Sequence, residues 1–190
     1  MNPTAQIVTI GDKRFIPYIS SSEIAERVAR VAAQLSRDYA GVKDEQGREP
    51  LLLPVLNGAY MFAADLSRQL EVEAEVCFVK VASYEGLSST GKVTQLIGFP
   101  GSLRGRHVVV VEDLIDTGVS MGHVLRQLEG LGVASARLCT LLFKPGKFQG
   151  HYKIDYVGKE IDDDFIVGYG MDYNERGRLF KDIYIVDNNL

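Results

Sequence analysis

Residues 108–120 read VVVVEDLIDTGVS. Four consecutive valines with no polar alternation describe a strand covered on both faces, the kind found in parallel sheets. Gly118 offers backbone angles that let a loop fold tightly around an anion. The helix expected from about Gly118 to Gly130 would turn its unsatisfied N–H groups and positive dipole end toward that anion. Thr117 and Ser120 add hydroxyl donors. A phosphate monoester would be held well here, yet three carboxylates beside it would repel it. The conflict disappears if the phosphate belongs to a sugar. Glu112 and Asp113 then accept hydrogen bonds from ribose 2′- and 3′-hydroxyls, directly or through Mg²⁺, and Asp116 lies nearer the reacting carbon. On the residues alone a plainer reading stays open, with Asp116 capping the helix and Glu112-Asp113 forming a solvated turn. A Walker A loop is excluded, because no GxxxxGK[ST] occurs in the chain.

Outward from this unit, apolar runs of strand length alternate with helical patterns. Ile7–Ile10 and Phe15–Ile19 read as a hairpin turning at Gly11-Asp12. Ser20 and Glu23 form a capping box before a helix whose buried face is Ile24, Val28, Val31 and Leu35, ending near Gly41. Strands are expected at Leu51–Leu56, Glu75–Ser83, Val93–Phe99, His107–Val111 and Arg137–Phe143, with a helix from about Tyr60 to Leu70. This alternation predicts an α/β fold with a doubly wound, mostly parallel sheet flanked by helices. Asp155–Val157, Phe165–Val167 and Asp182–Val186 are short strands expected to extend one side of that core. Ligands of such sheets bind beyond the carboxyl ends of the strands, which points to the segments after Leu56, Ser83, Val111 and Phe143.

The 190 residues suffice for one substantial domain. No apolar run approaches the ~20 residues of a membrane helix, and MNPTAQIV has none of the features of a secretory signal. A net charge of −4 argues against wholesale nucleic-acid binding. Cys77 and Cys139 lie in apolar runs without CxxC spacing, suiting reduced, buried thiols and a cytoplasmic location. His107, His123 and His151 lack metal-ligand spacing and are assigned none. Asp162-Asp163-Asp164 is read as a solvated turn.

A hydrophobic strand, an acidic pair, two apolar residues and D-T-G-x-[ST] together resemble the phosphoribosyl diphosphate (PRPP) signature of type I phosphoribosyltransferases. Within that superfamily the chain is most similar to the hypoxanthine (hypoxanthine-guanine) phosphoribosyltransferases, from the Leu51 strand to the C-terminus. The resemblance implies one domain spanning 1–190, with a core at about 24–150 and a small hood from about 1–20 and 151–190. It implies Mg²⁺ as cofactor, PRPP and a 6-oxopurine as partners, and no nucleic acid or membrane. It also implies a homodimer or homotetramer.

The remaining loops acquire roles by the same resemblance. Leu56-Asn57-Gly58, on its own a β–α turn or an anion site, corresponds to the family's pyrophosphate loop, with a cis peptide expected at Leu56–Asn57. Many relatives carry a basic residue where this chain has Asn57, so backbone contacts are expected there in place of a charge. Ser83-Tyr84 would begin the mobile catalytic loop, though 83–91 alone reads as a flexible hairpin tip. Lys144, otherwise a solvated strand-end lysine, would donate to the purine 6-oxo group. Phe165 would stack on the purine, and the backbone at Ile166 would read its edge. Asp172 would lie near Mg²⁺ and purine, and Arg178 would bind pyrophosphate; without the family they are a loop carboxylate and a surface charge. Metal ligation falls to Glu112, Asp113 and Asp172. The PRPP site comprises Glu112, Asp113, Asp116, Thr117, Gly118, Val119 and Ser120, with Asp116 as the catalytic base. Two other classes compete: a non-catalytic regulator that senses nucleotides and binds RNA, which needs a basic face, and a receiver-type signalling domain, in which the DTGxS helix entry has no role.

Overall fold

The structure is a computed structural model that describes residues 6–82, 94–99 and 101–188. The expected mobile loop at Ser83 and Tyr84 lies outside these residues. The core is a seven-stranded sheet. Its central strands are β3 (Leu51–Leu56), β7 (His107–Ile115) and β8 (Ser135–Phe143), with β9 (Tyr156–Glu160) at one edge. On the other side β3 pairs with β4 (Glu75–Val76) and β5 (Val79–Ala82), and β5 pairs with β6 (Thr94–Ile97). All pairings are parallel except β5–β6.

Side-chain alternation along β7 divides the core into two layers. Val109 and Val111 pack with α1 (Ser21–Tyr39) and α2 (Tyr60–Gln69), joining Val28, Leu35, Phe62 and Leu66. Val108 and Val110 face the other way, toward Val124 and Leu128 of α3 (Val119–Gly130). Helices on both faces explain why the valine run carries no polar positions.

Three readings of the sequence change here. The strand expected to end at Val111 runs on to Ile115, because Glu112, Leu114 and Ile115 keep their registers with Thr140, Leu142 and Phe143. The single strand expected at Glu75–Ser83 is broken into β4 and β5, and Cys77 in the break is half-buried, whereas Cys139 is fully buried. The late strands do not stay together. β9 extends the main sheet, while β10 (Ile166–Val167) and β11 (Ile183–Val186) join β1 (Val8–Ile10) and β2 (Lys13–Ile19) in a separate antiparallel sheet of order β1-β2-β11-β10.

Only half of the capping box forms. Ser20 Oγ accepts from Glu23 N–H at 3.2 Å, but the Glu23 carboxylate turns to Lys159 and Arg27 at 2.7 and 3.2 Å. Among the described residues no helix is long and apolar enough to cross a membrane.

Candidate active site

Parallel pairing of β3, β7 and β8 brings their carboxyl ends to one edge, and the four-stranded sheet stands beside it. β7 delivers Glu112 and Asp113, then turns at Asp116-Thr117 into α3, whose N-cap is Gly118 at φ +78°. A 150 Å³ cavity is lined by Glu112, Leu114, Ile115 and Asp116 through Met121. A second, of 250 Å³, is lined by Asp113, Leu114, Asp116, Lys144, Phe165, Ile166, Met171 and Asp172. The two share Leu114 and Asp116, so Asp116 stands where they meet.

Lys144 leaves the end of β8 with its backbone N–H bonded to Ile115 O at 3.0 Å. Its side chain is buried, and Nζ sits 3.3 Å from Asp116 Oδ2. Lys147 Nζ approaches the same oxygen at 3.7 Å. The other oxygen, Asp116 Oδ1, is buried and has no partner among the described residues. One carboxylate oxygen is thus neutralised by cations while the other remains available as an acceptor.

The acidic pair is deeply placed. Burial holds the Glu112 carboxyl well above the usual carboxylate range, and the neighbouring Asp113 charge adds to the effect. Glu112 Oε2 has no hydrogen-bond partner among the described residues, which an incoming hydroxyl or cation would remedy. Burial also raises Asp113, against the opposing pull of hydrogen bonds from Glu112 and the Leu114 backbone and of the Arg178 charge.

The loop after β3 is built around Asp113. The Leu56–Asn57 peptide is cis, and Asn57 is exposed. At Gly58 a Cβ would lie 2.0 Å from Asp113 Oδ2. Gly58 O in turn would lie 2.1 Å from a Cβ on Gly170, which sits at φ +99°. Glycines at both positions let three segments, after β3, in β7 and after β10, close on one another.

On the wall formed by the small sheet, Phe165 is 44% exposed. Tyr173 meets it edge-to-face at a centroid distance of 5.8 Å and Phe15 lies tilted against it at 6.3 Å, and the exposed part of the ring can take an aromatic ligand. Asp172 Oδ1 pairs with Arg178 at 2.7 Å, and Arg178 also donates to Gly170 O at 2.7 Å. Asp162 and Asp163 are exposed. The expected metal ligands are divided: Asp113 and Asp172 line one cavity and Glu112 the other. Among the described residues no three His, Cys, Asp or Glu side chains gather as a metal cage.

Sequence reasoning missed Lys147, Met171 and the Gly58–Gly170 contact. Lys147 had a signal in its three-residue distance from Lys144 across Pro145-Gly146, a turn that folds it back. The glycine contact had none, since 112 residues separate the partners.

A phosphoribosyl transferase domain model matches residues 20–174. A hypoxanthine-guanine phosphoribosyltransferase of Mycobacterium tuberculosis is 38% identical over 170 residues, covering 89% of this chain and 84% of its own. A hypoxanthine phosphoribosyltransferase of Haemophilus influenzae is 35% identical over 161 residues, covering 84% and 88%. The crystal structure of a hypoxanthine-guanine phosphoribosyltransferase from Bacillus anthracis superposes with a TM-score of 0.82 at 33% identity, covering 90% of this chain and 98% of that one. The strand–loop–helix unit at 108–120, the sheet around it and these matches agree: the chain belongs to the hypoxanthine(-guanine) phosphoribosyltransferases, pentosyltransferases of the type I phosphoribosyltransferase fold.

Proposed function

We propose that this enzyme transfers the 5-phosphoribosyl group of PRPP to hypoxanthine, guanine or both, giving IMP or GMP and pyrophosphate in purine salvage. The observation that carries this is Asp116: it lines both a small polar cavity and a larger one bounded by Phe165 and Lys144, and its buried Oδ1 has no partner among the described residues. The 5-phosphate sits on Thr117–Ser120 at the head of α3, and the base lies against Phe165. Lys144 donates to the 6-oxo group and the Ile166 backbone reads the adjoining edge. Purine N9 forms a bond to ribose C1 as the bond from C1 to pyrophosphate breaks, and Asp116 takes the N7 proton. The carboxylates around C1 favour the positive charge that develops there, a preorganised electrostatic effect. Leu56, Asn57 and Gly58 offer backbone contacts to the departing pyrophosphate, and Arg178 exchanges Asp172 for it.

The donor set fits Mg²⁺, which takes one or two carboxylates and completes its shell with substrate oxygens and water. Asp113 and Asp172, which line one cavity, would hold it directly, and Glu112, on the adjoining cavity, would reach it through the ribose hydroxyls or water. When bound, it supplies charge neutralisation for the pyrophosphate oxygens. The free thiols suit a reducing cytoplasm, and assembly as a homodimer or homotetramer completes the reading.

The deciding assay offers hypoxanthine, guanine, xanthine and adenine separately, with PRPP and Mg²⁺. Pyrophosphate release is expected with 6-oxopurines and to stop on chelation of the metal; adenine as the best substrate would overturn the role of Lys144. Asp116→Asn should lower kcat by ~10²–10⁴-fold with substrate binding retained. Unchanged turnover would exclude Asp116 as the base.

A further inference from the structure

The phosphate loop rests on a segment to which the reaction gives no role, Phe148–Tyr152. In a planar peptide the carbonyl and the following N–H point in opposite directions. A carbonyl held from one side therefore aims the next N–H to the other. Two successive peptides of the loop are held in this way. Gln149 N–H donates to Thr117 O at 3.0 Å, and Gly118 O, which takes the first bond of α3 from Gly122 N–H at 3.0 Å, accepts a second bond from the Tyr152 hydroxyl. The N–H groups of Gly118 and Val119 are thereby turned away from the 148–152 segment.

Packing reinforces the hold. A Cβ on Gly118 would come within 2.5 Å of the Phe148 ring and 2.6 Å of the Tyr152 hydroxyl oxygen. A Cβ on Gly150 would meet the same two rings at 2.5 and 2.7 Å. Phe143, Phe148 and Tyr152 form a chain of edge-to-face contacts at 5.2 and 5.3 Å, tying the segment to the end of β8. Burial pushes the Tyr152 phenol up to about 12, so it stays a donor throughout the physiological range.

We propose that Tyr152 is a positioning residue for PRPP: its hydroxyl, with the Gln149 backbone, sets the orientation of the loop peptides that receive the 5-phosphate. It touches no substrate itself. The proposal rests on the assignment of Thr117–Ser120 to that phosphate.

Tyr152→Phe keeps the ring and removes the donor. The KM for PRPP should rise about threefold to tenfold, the range corresponding to one lost hydrogen bond, with kcat and the KM for hypoxanthine within about twofold of wild type. A purely structural role would reduce the active fraction and leave both KM values alone. Gly150→Ala displaces the same rings without altering the hydroxyl and should move the same constant, so either soluble variant decides the matter. An unchanged KM for PRPP in a folded variant overturns the proposal. Thr117→Val separates the two levels. If it leaves the KM for PRPP unchanged, the loop does not hold the phosphate and the proposal falls with that assignment. If it raises the KM while Tyr152→Phe does not, the phosphate site stands and the role of Tyr152 falls alone.

Discussion

Gly58 shows how far a single missing side chain shapes this site. The Asp113 carboxylate occupies the space a Cβ at position 58 would need, with Oδ2 at 2.0 Å and Cγ at 2.5 Å. Asp113 is buried and held in a strand, so it cannot swing aside as a flexible surface chain would. Gly58→Ala should therefore cost about 1–3 kcal/mol of stability by overpacking, and kcat/KM for PRPP should fall about tenfold or more. Urea unfolding and steady-state kinetics test both, and wild-type values would mean the contact has slack. At this scale the sequence was legible where chemistry leaves a type and a position together. Asp116 stands two residues before a glycine at a helix entry, whereas Lys144, on its own a solvated strand-end lysine, is buried against Asp116. It was not legible where roles depend on distant neighbours. Nothing in Gly58, Gly170 or Lys147 taken singly announces the carboxylates and carbonyl they meet.

Elements were read best where their period was pure. The valine run of β7 and the Ile24, Val28, Val31, Leu35 spacing of α1 agree with the buried sets found in the two core layers. The readings stopped short where function interrupts the period. β7 continues through two carboxylates because backbone pairing with β8 does not depend on what the side chains carry. At the other end of scale for charge, Glu23 looked like a capping partner by position, yet Lys159 on β9 and Arg27 offer it stronger charge-assisted bonds. The cap itself depends on Ser20, whose Oγ holds Glu23 N–H. Ser20→Ala should lower stability by about 1 kcal/mol. The urea midpoint should shift with an unchanged m-value, and kinetics with PRPP should stay as in wild type, since α1 lies away from both cavities. A shift in the KM for PRPP would show that α1 is coupled to the site.

For the molecule as a whole, the alternation of strand and helix in the middle of the chain was enough to specify a doubly wound sheet. The small sheet was not specified by that alternation; only the family resemblance implied a hood built from the chain ends. The sheet joins the two chain ends by pairing Phe15–Ile19 with Ile183–Val186, and antiparallel pairing across such a separation leaves no local trace in either segment. Ile166 of that sheet and Phe165 just before it line the larger cavity, and Phe15 from the other end of the chain packs against Phe165. The buried acidic pair gives this arrangement a measurable cost. Burial raises the Glu112 carboxyl well above its ordinary value of 4.5, so between the unfolded and folded values the native state binds more protons than the unfolded one. Stability contributed by the protonated form is present below the unfolded value and is lost as pH rises through the folded one. Glu112→Gln removes the charge that must be buried and leaves an amide able to donate to Asp113. At neutral pH the ligand-free variant should be more stable than wild type by about 0.5–2 kcal/mol, and the difference should close as pH falls below the ordinary carboxylate value. On the proposed function the same substitution should raise the KM for PRPP, because Oε2, unpartnered among the described residues, would receive the ribose and its metal. Thermal unfolding of both proteins across pH 4–8 reads the first effect on the approximate scale set by carboxylate titration. A stability gap that does not vary with pH would mean that Glu112 is charged at no cost in the native fold.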